Sequence, residues 1–319
     1  MASRKGEWMP VVTPHAVRRR SSVWRWVGGA ILAALFVFGV AWWVSAKPRS
    51  AQPYLAGSRP LVLGHQGASA YAPSNTIPSF RKALEMGADI LEMDIHLTKD
   101  GVIVVSHDDT VDRMTDGTGR IRDLTLAELQ RLDAGYRFSP DAGKTFPYRG
   151  QGISIPTLEE VFRSFPDARM NLEIKEGDQP IEVPLANLVH AMGMTQKVLV
   201  TSFYDDALGR FRRLAPGVAT AAAKQEILGF VIQWKAGLSF LYHAHSDALQ
   251  IPDDVKESSG IDLARPSLIQ AAHRWNQKVQ YWTVNDPAEM KRLIQMGADG
   301  IITDRPDVAV AVLRELGMR

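Results

Sequence analysis

The chain has 319 residues, with 37 lysines and arginines against 35 aspartates and glutamates, and it contains no cysteine, which excludes disulfide bonds, thiolate metal sites and cysteine nucleophiles. Residues 1–50 hold eight of the basic residues and one acidic residue, so 29 basic and 34 acidic residues remain beyond them, a net charge of −5. A body of that charge has no electrostatic footprint for nucleic acid, and we do not expect nucleic acid as a partner.

The N-terminal region contains a long apolar stretch. Residues 26–46 are uncharged and mostly apolar, and as a helix they are long enough to cross a hydrocarbon core of about 30 Å. Six basic residues precede this stretch, and only two follow it before the linker over 47–58 ends. This bias predicts a basic cytoplasmic N-terminus over 1–25, a transmembrane helix or signal anchor over 26–46, and a body on the other side of the membrane.

A cleaved signal peptide is the alternative interpretation of the same region. Val44, Ser45 and Ala46 include small residues of the kind that precede a cleavage site. The apolar stretch is, however, longer than the usual signal core of about 7–15 residues, which favours an uncleaved single-pass anchor. Both interpretations predict an extracytoplasmic body, membrane-anchored in the first case and secreted in the second.

Residues 59–319 alternate between short apolar runs and helical patterns. The alternation over about 260 residues is typical of a (β/α)8 barrel, which has about 250. We therefore predict an α/β fold, a TIM-type (β/α)8 barrel preceded by one transmembrane helix. The predicted strands cover residues 61–65, 90–95, 102–106, 170–174, 197–202, 218–223, 248–251, 279–284 and 299–303.

Local signals set the boundaries of several elements. Thr125 and Thr157 each begin a capping box, and Asp286 precedes a proline that suits a first helical turn. Nine predicted strands exceed the eight places of the barrel. The turn around 99–101 is too short for a parallel crossover, so one of the two runs beside it is not an ordinary barrel strand. Residues 134–156 read as a long loop.

Chemically useful side chains stand where the predicted strands end, which in a parallel barrel is the reactive end. Glu92 and Asp94 alternate along one strand, so both carboxylates lie on one face. If the next run pairs back as a hairpin, His107 lies beside them. Carboxylates and imidazoles without cysteine suit a hard divalent cation such as Ca²⁺ or Mg²⁺. Such a site, with a lysine nearby, fits a phosphate diester and acid/base catalysis.

Seven segments in register carry a resemblance to a known family. The chain resembles the glycerophosphodiester phosphodiesterases from about residue 61 to 308. The resemblance implies a TIM-type barrel that uses a divalent metal ion to hydrolyse glycerophosphodiesters to an alcohol and glycerol phosphate. The segments are 64–69 (GHQGAS), 71–76 (YAPSNT), 91–101 (LEMDIHLTKDG), 105–110 (VSHDDT), 171–175 (NLEIK), 281–286 (YWTVND) and 300–306 (GIITDRP).

The resemblance implies a role for each matching position. His65 and His107 are the expected general acid/base pair, and the expected metal ligands are Glu92, Asp94 and Glu173. The expected substrate-binding residues are Gln66, Asn75, Lys175, Phe203 and Trp282. Gln66 departs from the family, which usually has arginine there, so a bidentate cationic phosphate contact becomes a neutral one.

Two alternatives to this function remain open from the sequence. Residues 227–242 are unusually apolar and form either a barrel helix with its loop or an apolar lip that contacts an acyl chain or a membrane surface. The second interpretation favours lysophospholipase-D-like hydrolysis of membrane lysophospholipids. The second alternative, suggested by the neutral Gln66, is a non-catalytic module that binds phosphodiesters. The partners expected are thus a small-molecule or lipid phosphodiester and the membrane.

Overall fold

The structure is a computed structural model that describes residues 21–45 and 47–319. Its residues form two compact units that divide between positions 46 and 47. In the first unit, helix α1 covers Ser21–Ser45, and large apolar side chains between Trp24 and Val40 are exposed.

The predicted transmembrane helix finds no support in the structure. Across residues 21–45 and 47–319, no helix is both long enough and apolar enough to span a membrane. The prediction of a cytoplasmic basic segment falls mostly on residues 1–20, which lie outside the described residues.

Nine strands follow in the second unit, and eight of them form a parallel barrel. Their order is β6-β5-β4-β2-β1-β9-β8-β7, and a parallel bridge between Ala221 and Ala248 joins the two ends of this path. The TIM-type barrel is therefore confirmed. The strands are β1 (Leu61–Gly64), β2 (Ile90–Leu97), β3 (Ile103–Val105), β4 (Arg169–Ile174), β5 (Val198–Ser202), β6 (Ala219–Thr220), β7 (Ala248–Pro252), β8 (Lys278–Trp282) and β9 (Gly300–Thr303).

One of the nine strands, β3, does not belong to the eight-stranded barrel. β3 pairs antiparallel with β2, with Val105 opposite Ile95, and lies off the barrel path. The prediction that one of the two runs around 99–101 is not a barrel strand is confirmed. The segment 134–156 contains no helix or strand, as predicted, and Ala134 and Ile155 pack with Val104 and Ile121 in a small core of their own.

Helices follow most barrel strands and begin at the predicted signals. Thr125 and Thr157 form complete capping boxes, and Asp286 accepts a hydrogen bond from the Glu289 amide. The helices of this unit are α2 (Ile77–Glu85), α3 (Leu126–Leu129), α4 (Leu158–Ser164), α5 (Glu182–Ala191), α6 (Asp205–Leu214), α7 (Lys224–Lys235), α8 (Pro266–His273), α9 (Pro287–Gln295) and α10 (Pro306–Glu315).

Three aspartates stabilise the amino-terminal end of the barrel in the same way. Asp89, Asp247 and Asp299 stand at or near the start of β2, β7 and β9, and each carboxylate accepts a backbone N–H from the neighbouring strand at 2.9 Å. Each also contacts a basic side chain. These bonds fix the register of strand pairs at the amino-terminal end of the barrel, where residues contribute to stability rather than to catalysis. The candidate site lies at the opposite end, where the strands have their carboxyl ends.

Candidate active site

Three carboxylates meet inside the barrel at the carboxyl ends of β2 and β4. Glu92 and Asp94 point to the same face of β2, and Glu173 on β4 lies in register with Asp94. One oxygen from each of the three lies within 4.8 Å of the others. The structure therefore brings together the predicted metal ligands, because alternation along one strand and parallel register between two strands direct all three inward.

Burial makes this cluster electrostatically costly by itself. Glu92 and Asp94 are 4% and 1% exposed. Burial first, and the charge of Asp94 second, raise the pKa of Glu92 well above its usual value. Burial likewise raises the pKa of Glu173 in spite of the nearby Lys175 ammonium. Three oxygen donors that need positive charge fit a divalent cation such as Ca²⁺ or Mg²⁺.

Lys175 lies beside this cluster. Its Nζ is 3.0 Å from Asp94 Oδ1 and 3.1 Å from Glu173 Oε2. Burial alone would lower the pKa of Lys175, but the charges of Asp94 and Glu173 outweigh it and raise the pKa above its usual value. The lysine is therefore a permanent cation at the wall of the site, although two carboxylates already engage it.

His65 follows β1 and forms a tight pair with Asp304, which follows β9. The Nδ1 atom lies 2.6 Å from Asp304 Oδ1, and the same carboxylate accepts hydrogen bonds from Ser69 and Asn285. Burial alone would lower the pKa of His65, but the bond to Asp304 and the charge of Glu92 raise the pKa to about 9. Burial would raise the pKa of Asp304, but the same bond lowers it. The pair is thus an imidazolium and a carboxylate.

His107 forms the second histidine–aspartate pair. Its Nδ1 lies 2.8 Å from Asp108 Oδ1, and Arg113 binds the other oxygen of that carboxylate. The buried His96 lies with Nε2 3.3 Å from the carbonyl of His107 and with Nδ1 3.0 Å from Glu176. The β2–β3 hairpin brings His107 to the carboxylates as predicted, and His96 steadies the backbone there.

Gln66 and Asn75 lie behind the carboxylates rather than on the cavity. The Gln66 amide N–H donates to Glu92 Oε2 at 2.8 Å, and the Asn75 Nδ2 donates to Asp94 Oδ2 at 2.9 Å. Both residues are buried with φ near +55°, a region that asparagine tolerates better than most side chains. The side-chain amide nitrogen of Gln66 lies 3.3 Å from His65 Nε2. Substrate binding by Gln66 and Asn75 stays a prediction, and the structure adds that both residues orient a carboxylate.

A cavity of about 240 Å³ opens in front of these groups. His65, His107, Glu92, Glu173 and Lys175 line one part of it. Two of the predicted substrate-binding residues, Phe203 and Trp282, line another part, with their rings edge to face at a centroid distance of 6.2 Å. The cavity thus offers an ionic wall and an aromatic wall to one ligand.

Sequence reasoning missed four residues that shape this site. Asp304 and Asp108 orient the two histidines, Asn285 holds Asp304, and Lys224 lines the cavity. The signal for Asp304 and Asn285 was their position directly after β9 and β8, where a barrel places reactive groups. Asp108 immediately follows His107, and Lys224 gave no signal beyond its place near the end of β6.

Comparisons with known proteins agree with this geometry. Residues 65–308 match the model of the glycerophosphoryl diester phosphodiesterase family. A glycerophosphodiester phosphodiesterase of Caldanaerobacter subterraneus is 36% identical over 81% of this chain and 99% of its own length. A human lysophospholipase D is 25% identical over 76% of this chain and 83% of its own.

One solved structure has a similar fold. It is a phosphodiesterase of Oleispira antarctica in complex with the product sn-glycerol-3-phosphate, 27% identical, with a TM-score of 0.61. The match covers 80% of this chain and 97% of that one. The phosphodiesterase of Oleispira antarctica therefore shares its fold with this chain.

Proposed function

The chain belongs to the glycerophosphodiester phosphodiesterase family and is a phosphoric diester hydrolase, and we propose that it cleaves glycerophosphodiesters with a divalent cation and two histidines. The observation that carries the proposal is one cavity lined by two of the three clustered carboxylates and by the histidines of both histidine–aspartate pairs. A non-catalytic binding module is not retained, because the chain keeps both histidines and all three carboxylates.

The residues divide the reaction between them. Glu92, Asp94 and Glu173 would hold Ca²⁺ or Mg²⁺, which when bound draws charge from the phosphate oxygens. One histidine removes a proton from the nucleophile. The nucleophile is water, or a glycerol hydroxyl of the substrate, which forms a cyclic phosphate that water then opens to glycerol phosphate. The other histidine donates a proton to the alcohol oxygen as its bond to phosphorus breaks. Lys175 contacts the phosphate from the same wall, and Phe203 and Trp282 enclose its organic part.

The test is turnover by the full-length protein after treatment with EDTA. Glycerophosphocholine and lysophosphatidylcholine are assayed with Ca²⁺ or Mg²⁺ restored. We expect hydrolysis to disappear without metal and to return with at least one of the two ions. Turnover that EDTA leaves unchanged would contradict the metal-dependent mechanism, and the faster substrate distinguishes a water-soluble diester from a lipid.

A second candidate function, hydrolysis of lysophospholipids, is favoured by one observation. Leu228, Ile232, Leu238 and Phe240 are 43–58% exposed, and Leu228 directly follows Ile227, which lines the cavity. These four side chains form what we call the apolar rim. An acyl chain that leaves the cavity past Ile227 would find apolar surface there. The lysophospholipase D relative is compatible with this candidate.

Substitution of the apolar rim tests that candidate. The double variant Leu228→Ser with Ile232→Ser should lower kcat/KM for lysophosphatidylcholine about thirtyfold, since each of the two lost side-chain contacts is worth about 1 kcal/mol. Turnover of glycerophosphocholine should stay unchanged. Trp234 is a poorer choice, because its indole N–H donates to Ser267. Val183→Ser, on the exposed face of α5, is the matched control, and equal losses on both substrates would reject the candidate.

We further propose an extracytoplasmic location for the catalytic domain. The support is in the sequence alone, from the six basic residues that precede the apolar stretch over 26–46. This proposal holds for an anchored and for a cleaved form. Protease treatment of intact cells should degrade an anchored domain, and the culture medium should contain a cleaved one; recovery in the cytosol alone would contradict both.

A further inference from the structure

Lys224 is a cation of the cavity that the proposed reaction does not use. It is the first residue of α7, it is exposed, and it lines the same cavity as His65 and His107. Within residues 47–319, no hydrogen bond or ion pair engages its ammonium group. Lys175, the other lysine of the cavity, is already bound to Asp94 and Glu173. Lys224 is thus the cavity lysine that has no carboxylate partner among the described residues.

Its position separates it from the catalytic groups. In the closed strand order, β6 lies four places from β1, which is diametrically opposite in a barrel of eight. The other cavity-lining residues after β5, β6, β7 and β8 are uncharged, including Ser202, Gln250 and Trp282. The carboxylates that line the cavity stand on the strands β2 and β4. Lys224 therefore gives a positive charge to a half of the cavity that is otherwise neutral.

Nearby carboxylates are engaged by other groups. Glu226 binds Arg212 through both oxygens and accepts the Ala223 N–H. Asp205 accepts the backbone N–H of Gln225. Neither carboxylate forms an ion pair with Lys224, so the ammonium charge is left facing solvent and ligand.

We propose that Lys224 is a specificity-determining residue that binds a second anionic group of the substrate, across the cavity from the phosphate that is cleaved. This inference rests on the proposed function and names the substrate class of that site. The class is glycerophosphodiesters that carry an additional phosphomonoester or carboxylate. Substrates with a quaternary ammonium group are disfavoured, because like charges repel.

The experiment compares two substrates that differ by one anionic group. Glycerophosphoinositol 4-phosphate and glycerophosphoinositol differ by one phosphate. We expect the full-length protein to prefer the first by about five- to tenfold in kcat/KM, the size of a single contact between charges near a protein surface. Lys224→Gln should reduce this preference to about one, and Lys224→Glu should reverse it. The preference should also shrink at high ionic strength.

A control variant on the same helix distinguishes a local contact with Lys224 from a long-range effect of charge. Lys235→Glu makes the same change of charge at the last residue of α7, which is about 16 Å away at 1.5 Å per residue, and should leave the preference intact. An unchanged preference in the Lys224 variants, or an equal change with Lys235→Glu, would overturn the proposal while diester hydrolysis stands. Absence of turnover on every diester by the unaltered protein would overturn the proposed function as well.

Discussion

Replacing either His65 or His107 by alanine is expected to lower kcat for glycerophosphocholine by about 10²–10⁴-fold, the usual contribution of a positioned general acid or base. Both histidines line the cavity, and each is held by an aspartate through Nδ1. The Nε2 atom of His65 lies 3.3 Å from the side-chain amide nitrogen of Gln66. His273→Ala is the matched control. That residue also pairs with an aspartate, Asp299 at 2.6 Å, but it lies outside the cavity.

The alanine variants of the two histidines should differ in activity on a substrate whose leaving group needs no proton. His65 has a pKa raised to about 9, so it enters the reaction protonated and suits the general acid. His107 shares its aspartate with Arg113 and has a side chain that is 41% exposed, which suits a base that reaches water. With glycerophospho-p-nitrophenol, we expect His65→Ala to recover most of its lost rate.

The activity of His107→Ala on the same substrates tests whether His107 is the general base. Loss of the base is not relieved by a better leaving group, so this variant should stay slow on both substrates. Recovery by His107→Ala instead of His65→Ala would exchange the two roles. Full activity of both single variants would reject the two-histidine mechanism.

The sequence predicted most of the fold because its signals are local and repeated. Alternating apolar strands and the capping boxes at Thr125 and Thr157 each fix one element without knowledge of the others. The transmembrane prediction at the N-terminus has no such support. There the helix was inferred from apolar length and its orientation from the flanking basic residues, without a capping or alternation signal.

The candidate site was only partly predictable for a related reason. Glu92 and Asp94 share a face by alternation along one strand, so their proximity is encoded in two adjacent positions. The pair of His65 and Asp304 joins residues 239 positions apart, and it exists because the barrel closes β1 against β9. The role of Asn75 could not be predicted from residue spacing, because it depends on the position of its side-chain amide beside Asp94.

The clustered carboxylates should show opposite effects on stability when they are neutralised one at a time. We expect Glu92→Gln to abolish metal-restored activity and, at pH 9, to raise the unfolding temperature of the metal-free protein by several degrees, because burial raises the pKa of Glu92 to about 8 and the carboxylate is charged above that pH. Its charge is buried beside Asp94, and the Gln66 amide is the hydrogen-bond donor that engages it. An amide keeps an acceptor for that bond and removes the buried charge, a change of about 1–3 kcal/mol.

Asp94→Asn should instead destabilise the metal-free protein. Asp94 accepts from Asn75 and contacts Lys175 at 3.0 Å, so neutralisation weakens two bonds to a charge that already has partners. Activity should be lost in this variant too. Glu159→Gln, at an exposed pair with Arg163, is the control and should change the unfolding temperature little.

Metal binding then links stability to function in a single measurement. A cation that binds the folded state alone raises the unfolding temperature as its concentration rises. The unaltered protein should show this rise with Ca²⁺ or Mg²⁺, and Glu92→Gln, Asp94→Asn and Glu173→Gln should each lose most of it. If the three variants kept the full rise, the cation would be bound elsewhere. A Glu92→Gln protein that is less stable than the unaltered one without metal would show that the buried charge is already compensated within the chain.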